Sequence, residues 1–334
     1  MLIGDSNAFS VVLPTFQGGE FVPRLLDYLS EREFPATIHI SDDSTGPDRA
    51  FIESCMQRYP RLRIVLDLYP HPTPFVEKLV GTLRKVESRY VMLQAQDDFP
   101  VPNGVEACVR YLKDHPEFSV ARGRIARFFL GRGAQPASSV NLTLIPHPMR
   151  SYQDANPVAR VVDHLNNYAS TLYSVHRTEA LREAFEYTAD HVQHVIFFQY
   201  LSSALTVIKG KVWCGQELFY VRQNHVESWG AKAKRDDRDH WPHLLVAPDF
   251  SARYAEFRAS LAQALATATG EPAQSLHASL DDAAVQLMVR SLCGRALEDA
   301  DEDRFMGRLK TAGTLERTEL ENIVQFVTRY ADTY

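Results

Sequence analysis

The sequence predicts an α/β protein, a mainly parallel sheet flanked by helices with a helical extension at its C-terminal end. Three observations carry that expectation. Short β-branched runs alternate with amphipathic segments through the first half of the chain, as strands do when crossover helices join them. Acidic pairs, Asp42-Asp43 and Asp97-Asp98, follow two of those runs directly. From Asp236 onward the alternation stops and only helical periodicity remains. The expected division is therefore a first domain over 1–235 and a helical second domain over 236–334.

The first run, FSVVLPTF (Phe9–Phe16), is rich in valine and ends in a turn sequence, so it reads as a strand. Gly18-Gly19 leads into a segment whose Phe21, Leu25, Leu26 and Leu29 share one helical face. ATIHIS (Ala36–Ser41) predicts the second strand, and Pro47–Tyr59 a helix with proline near its start. Leu62–Leu68 and Tyr90–Gln96 predict the third and fourth strands, separated by a helix over Pro74–Ser88. A fourth helix starts at Pro102 and stops before Pro116. Phe118–Leu130 predicts a long fifth strand, and the Gly, Pro and Ser content of 131–141 predicts a loop. Pro157–Tyr168 reads as helix, Ser170–Arg177 as extended chain and Thr178–Tyr187 as helix. The apolar stretch His191–Ile208 predicts a buried helix opened by Asp190; it is too short to span a bilayer. Lys211–Gly230 predicts a strand and then a loop carrying Arg222, His225 and Trp229. Helices are expected over 240–266, 273–299 and 302–332.

Of the 334 residues, 45% are hydrophobic and 23% charged, which suffices for a sizeable core. The net charge is −6 and Lys and Arg are scattered, which argues against a general nucleic-acid binder. Cys55, Cys108, Cys214 and Cys293 stand far apart with no C-x-x-C pair, so reduced thiols are expected rather than zinc or disulfides. No segment reads as a signal peptide or a membrane span, and the expected location is cytoplasmic, with at most peripheral contact at the inner face of a membrane.

In such sheets ligands sit beyond the carboxyl ends of the strands. Two strands deliver acidic pairs to that rim, which suits a cationic or donor-rich ligand; each pair alone is also an ordinary turn or cap sequence. Neither G-x-G-x-x-G nor G-x-x-x-x-G-K-[ST] occurs, so a diphosphate ligand would need positive charge from another source. Carboxylates can supply it by holding Mg²⁺ or Mn²⁺.

FSVVLPTFQGGEFVPRLLDYL, then HISDDST, then YVMLQAQDDF, resemble in order and spacing the nucleotide-sugar-binding half of family 2-type glycosyltransferases of the GT-A fold. The resemblance covers about Phe9 to Gly230. It implies that Pro14, Thr15 and Phe16 line a nucleotide pocket, that Asp42 or Asp43 reads the base (uracil in such enzymes, hence a UDP-linked donor), and that Asp97 meets ribose. It implies a Mn²⁺ or Mg²⁺ ion on Asp98 with His225, and Arg222 on the diphosphate. Gln96 stands where the family has its first acid, and a neutral amide cannot pair with a cation. The implied reaction is inverting sugar transfer to an acceptor that the sequence does not name, with Asp190 as base.

Two rivals stand beside this reading: a catalytically silent nucleotide-sugar-binding scaffold, and a sugar-phosphate nucleotidyltransferase. The second normally carries a basic Gly-rich loop after the first strand, and PTFQGGEF has no basic residue. An apolar stripe of Val285, Leu287, Met288, Leu292 and Leu297, with Ile323, Phe326 and Val327 beyond it, suits either packing against the first domain or a homodimer interface.

Overall fold

The computed structural model describes residues 8–19, 21–130, 140–143, 150–224, 244, 245, 247–293, 318, 319, 322, 323, 325–327 and 329. Its centre is a sheet whose strands are β1 (Phe9–Thr15), β2 (Thr37–Asp42), β3 (Arg63–Leu68), β4 (Tyr90–Leu93), β5 (Phe99–Pro100), β6 (Phe118–Leu130), β7 (Val140–Thr143), β8 (Val175–Arg177) and β9 (Lys211–Asn224). Their order is β3-β2-β1-β4-β8-β6-β9-β5, with β7 paired to β6. β1 is buried along nearly its whole length because helices cover both faces, which is why its sequence is a continuous apolar run.

The expected α/β class holds, and the sheet is mixed. β1, β2, β3 and β4 pair in parallel, as do β6 and β9. β8 pairs antiparallel with both β4 and β6, and β5 pairs antiparallel with β9. The fourth strand is shorter than expected. It stops at Leu93 because the Gln94 side chain turns back, donating to the carbonyls of Ala95 and Asp98, each at 2.8 Å.

Helices α1 (Phe21–Glu31), α2 (Gly46–Arg58), α3 (Phe75–Leu83) and α4 (Pro102–Asp114) join the first strands. α1 buries Val22, Leu25, Leu26 and Leu29 at helical spacing. α4 lies so close to β9 that a Cβ on Gly104 would come 2.2 Å from the Leu218 carbonyl oxygen, so only glycine fits there. Four helices follow: α5 (Pro157–Asn166), α6 (Thr178–His191), α7 (Val195–Lys209) and α8 (Phe250–Thr269). Asn156 caps α5, its side-chain oxygen accepting from Val158 N at 2.7 Å. α8 ends at Gly270 in the left-handed region (φ +79°), and α9 (Ala273–Cys293) turns back along it.

The C-terminal helices share cores with the sheet region. Leu261, Leu265, Leu276, Leu280 and Leu287 pack with Leu201 and Leu205 of α7 and Leu165 of α5. Leu287 of the expected interface stripe is thus buried and Met288 partly so, while Val285 is 53% and Val289 46% exposed. The side chain of Leu292 and all of Leu297 lie outside the described residues. Ile323, Phe326 and Val327 enter the main core, Phe326 against Tyr28 and Phe99 at ring distances of 5.4 and 6.0 Å. Among the described residues, no helix is long and apolar enough to cross a membrane.

Candidate functional site

The chain lays down β1, β2 and β3 in one direction across the sheet and then returns to place β4 on the other side of β1. That reversal leaves a crevice outside the carboxyl ends of β1 and β4, the position where open α/β sheets bind ligands. The loops after β1, β2 and β3 form one side of it; the β4–β5 turn and the end of β9 form the other. The two sides meet at Gly18, where a Cβ would come 3.2 Å from Gln96 Oε1. Gln96 Oε1 is buried and makes no hydrogen bond among the described residues.

On the first side the two adjacent acids, both buried, divide between separate cations. Asp42 turns inward and is fully buried. Its oxygens accept from Thr15 Oγ1 and Ser44 Oγ at 2.7 Å each and from Ser44 N at 3.1 Å, and Arg49 stands 3.4 Å away. A carboxylate so engaged ties the end of β1 to the β2–α2 loop and to α2, and has no face left for a base. The expectation that Asp42 or Asp43 reads a base meets a second buried acid in Asp43, which is 4% exposed. Asp43 pairs with Lys78, accepts from Thr73 N at 3.2 Å and lies 3.4 Å from His71 Nδ1. Burial pushes its carboxyl up, but Lys78, the Thr73 N–H and His71 outweigh that and hold it below the usual range. Lys78 also donates to the Thr15 carbonyl at 2.9 Å, locking β1 to α3. Phe16, 44% exposed, stacks on His71 with ring centroids 5.2 Å apart and planes 10° from parallel. Pro14, partly exposed on β1, pairs in register with Ser41 of β2.

On the second side the acids divide again. Asp98 is 1% exposed, whereas Asp97 is partly exposed at the crevice side of the turn. Asp98 Oδ1 accepts from Gln223 N at 2.9 Å, and its Oδ2 faces Arg222 Nε at 3.3 Å. Burial pushes the Asp98 carboxyl up to about 7, with Asp97 adding to the push and Arg222, the Gln223 N–H and Tyr220 opposing it. Burial works against the Arg222 charge, but Asp98, Tyr173, Tyr220 and Asp97 outweigh it and hold its pKa above the usual value. The guanidinium carbon lies 5.4 Å from the centre of the Tyr173 ring. Arg24 of α1 completes the corner, donating to the Asp97 carbonyl at 3.2 Å and to Gln223 Oε1 at 2.5 Å.

Asp190 does not open α7. It occupies the exposed last turn of α6, which runs on to His191, and the cap of α7 is His194, whose Nδ1 accepts from Ile196 N at 3.3 Å. α6 rises from the amino-terminal end of β4, where Thr178 N donates to the Arg89 carbonyl at 3.1 Å. α7 returns to the foot of β6, where Lys211 N meets the Glu117 carbonyl at 2.9 Å. The turn between them therefore lies toward the crevice end of the sheet. Glu186 is taken by Arg84 at 2.6 Å and Asp163 by Arg150 at 2.9 Å. His225 and Trp229 lie outside the described residues.

Among the described residues, the donors around Asp98 do not fit the expected cation seat; His225, the other expected ligand, lies outside them. A hard dication takes about six oxygen ligands, yet one Asp98 oxygen accepts a backbone N–H and the other, buried and without a hydrogen bond, lies 3.3 Å from the Arg222 guanidinium. Gln96 offers only a neutral amide, and among the described residues no group of three or more His, Cys, Asp or Glu could hold a metal. Sequence reasoning missed Lys78, Arg24 and Tyr173. Lys78 and Arg24 were legible only as single charges set among the apolar positions of α3 and α1.

The fold is a mixed α/β sheet with acids at two strand ends. No family model matches the sequence, and no curated protein matches it. Among solved structures the chain is similar to S. aureus TarS 1-349 at 13% identity and TM-score 0.49, covering 86% of this chain and 91% of that one. That fragment is also known in complex with UDP-GlcNAc. The chain spans about half, 54%, of the longer TarS chain, with 84% of this chain covered, 14% identity and TM-score 0.47. It is also similar to the mannosyltransferase PcManGT from Pyrobaculum calidifontis, in complex with GDP-Man and Mn²⁺, at 14% identity and TM-score 0.43, covering 87% of each chain. At this level of likeness the chemistry rests on the chain's own residues.

Proposed function

We propose that this chain is a glycosyltransferase of the GT-A type that takes its sugar from a nucleoside diphosphate donor. The observation that supports it is the crevice at the β1–β4 reversal, with an exposed stacked pair, Phe16 and His71, on one side and Asp97 with the Arg222–Asp98 pair on the other. The base, uracil by expectation, would lie along Phe16 and His71 with Asp43 beside its N–H. Ribose hydroxyls would donate to Asp97, with Gln96 next to it, and Arg222 would meet the diphosphate.

In transfer, the bond from the anomeric carbon to the diphosphate oxygen breaks. The acceptor oxygen bonds to that carbon from the opposite face, and its proton passes to a base. The nucleoside diphosphate leaves with the bonding electrons, and fixed positive charge at the crevice stabilises it. Asp190 is the proposed base; the direction of α6 supports that role. A second reading, a binding scaffold without turnover, is favoured by the neutral Gln96. The strip left by Val285 and Val289 supports a homodimer through α9.

Thermal unfolding with a panel of nucleoside diphosphates and nucleotide sugars tests the reading. A ligand at 100 times its Kd stabilises by about 2.7 kcal/mol. UDP should raise the midpoint more than GDP or ADP. A flat response to the whole panel would overturn the donor site. Binding of a nucleotide sugar that is neither transferred nor hydrolysed would favour the scaffold.

A further inference from the structure

We infer that Arg222, anchored by Asp98, supplies the positive charge for the donor diphosphate, so that donor binding needs no divalent cation. The inference rests on the donor-site reading above and departs from the metal that the sequence resemblance implies. Asp98 is the carboxylate expected to hold that metal, and it is buried against a protein cation instead. Its Oδ1 is fixed by the Gln223 N–H at 2.9 Å, so the carboxylate cannot swing outward without breaking the end of β9. Its Oδ2 faces the Nε edge of Arg222 at 3.3 Å.

The two partners differ in exposure. The Asp98 side chain is 1% exposed and the Arg222 side chain 38%. The acid is therefore the inner member and the guanidinium the outer one. The Nε edge lies 3.3 Å from Asp98 Oδ2 as an ion pair without a hydrogen bond, and a guanidinium has two further nitrogens with four N–H groups. That fork matches phosphate oxygens, which a flexible ammonium does less well. Tyr173 lies 5.4 Å below the guanidinium and stacks with Tyr220 at 6.1 Å, so the cation rests on a packed aromatic floor. Gln96, where the family has an acid, removes a negative charge that only a metal would require. A dication beside Asp98 would instead sit against the Arg222 charge.

Calorimetric titration of UDP into the full chain tests this, once with EDTA and once with Mn²⁺. The expected dissociation constants agree within about twofold, too little for a cation that bridges protein and diphosphate. Arg222→Met should weaken UDP by about 10- to 100-fold in both arms, the worth of charged hydrogen bonds. Arg222→Lys, which keeps the charge and loses the fork, should recover part of that loss. Asp98→Asn should also weaken UDP in EDTA, because it releases the anchor. Melting curves identify any variant that fails to fold, and the EDTA and Mn²⁺ arms on the wild type stand without variants. UDP binding that appears only with Mn²⁺, with Arg222→Met unaffected there, would overturn the inference and leave the donor site intact. Absence of nucleoside diphosphate binding in both arms would overturn the donor site itself.

Discussion

Lowering the pH from 7 to 5 should cost the folded protein about 2 kcal/mol at His164 alone, and His164→Gln should remove that cost. His164 of α5 is fully buried, with Nε2 3.0 Å from Ser203 Oγ of α7 and its ring edge-on to Tyr152. Burial first, and then the charge of Arg122, push its pKa down to about 3. Arg122 is itself fully buried and spends its N–H groups on the carbonyls of Ala169, Ser170 and Arg150. An imidazolium at this place would lose water and meet that fixed cation.

The sign follows from the depressed folded pKa. The unfolded imidazole takes up a proton as pH falls through about 6.5, and the folded one does not until about 3. Stability at this group is therefore complete above about pH 6.5 and falls steadily below it. His176, pushed down to about 4 by burial and by Arg122, works in the same direction. Asp98, raised to about 7, works the opposite way, because the folded carboxyl takes its proton first. The whole-protein curve mixes these contributions, so the measurement is a difference. Urea unfolding of wild type and His164→Gln at pH 7, 6 and 5 should show the wild type's advantage shrinking by about 2 kcal/mol. An advantage constant with pH would refute the buried neutral imidazole.

Asp42→Ala should cost about 3 kcal/mol of stability without changing preference among nucleoside diphosphates, since the carboxylate is buried and bonded on both oxygens. Asp43→Asn should instead weaken UDP relative to GDP in calorimetric titration, and equal loss for both would remove it from base reading. Asp190→Asn should lower transfer by about 100- to 10,000-fold while the melting temperature holds, because the side chain is exposed. Retained turnover would place the base elsewhere. Val285→Lys should reduce a dimeric mass to a monomeric one by light scattering, and a monomeric wild type at micromolar concentration would refute the α9 interface.

The first half of the fold was legible because β1, β2 and β4 are buried on both sides, while β3 is a partly exposed edge strand, and each helix buries one stripe. Phe118–Leu130 and Val195–Lys209 emerge close to the expected bounds for that reason. The direction of β8 was not legible. Three residues, Val175–Arg177, carry no pattern that distinguishes parallel from antiparallel pairing. The placement of Asp190 failed on helix termination. Nothing between Tyr187 and His191 breaks a helix, so α6 runs through the expected start of the next one. The acids at the rim were legible as pairs but not as individuals. Whether a carboxylate turns in or out is decided by a distant cation, and Arg222 is 124 residues from Asp98 in the sequence (222 less 98).

The repulsion built into each acidic pair is resolved by dividing its members and giving the inward ones cations of their own. Asp42 stands against Arg49, Asp43 against Lys78 and Asp98 against Arg222. A diphosphate arriving at the crevice cannot draw equally on these three. The Lys78 side chain is 4% exposed and already donates to the Thr15 carbonyl, so it is committed to holding the strands. Arg49 is 25% exposed and divides its N–H groups among Asp42, the Tyr69 carbonyl and Glu53. Arg222 is 38% exposed, with its Nε edge 3.3 Å from its acid. Asp98 therefore costs the diphosphate little of that charge and fixes where the charge stands. A cation held in place before the leaving group forms needs no reorganisation when negative charge develops, which is the condition under which electrostatic stabilisation is largest.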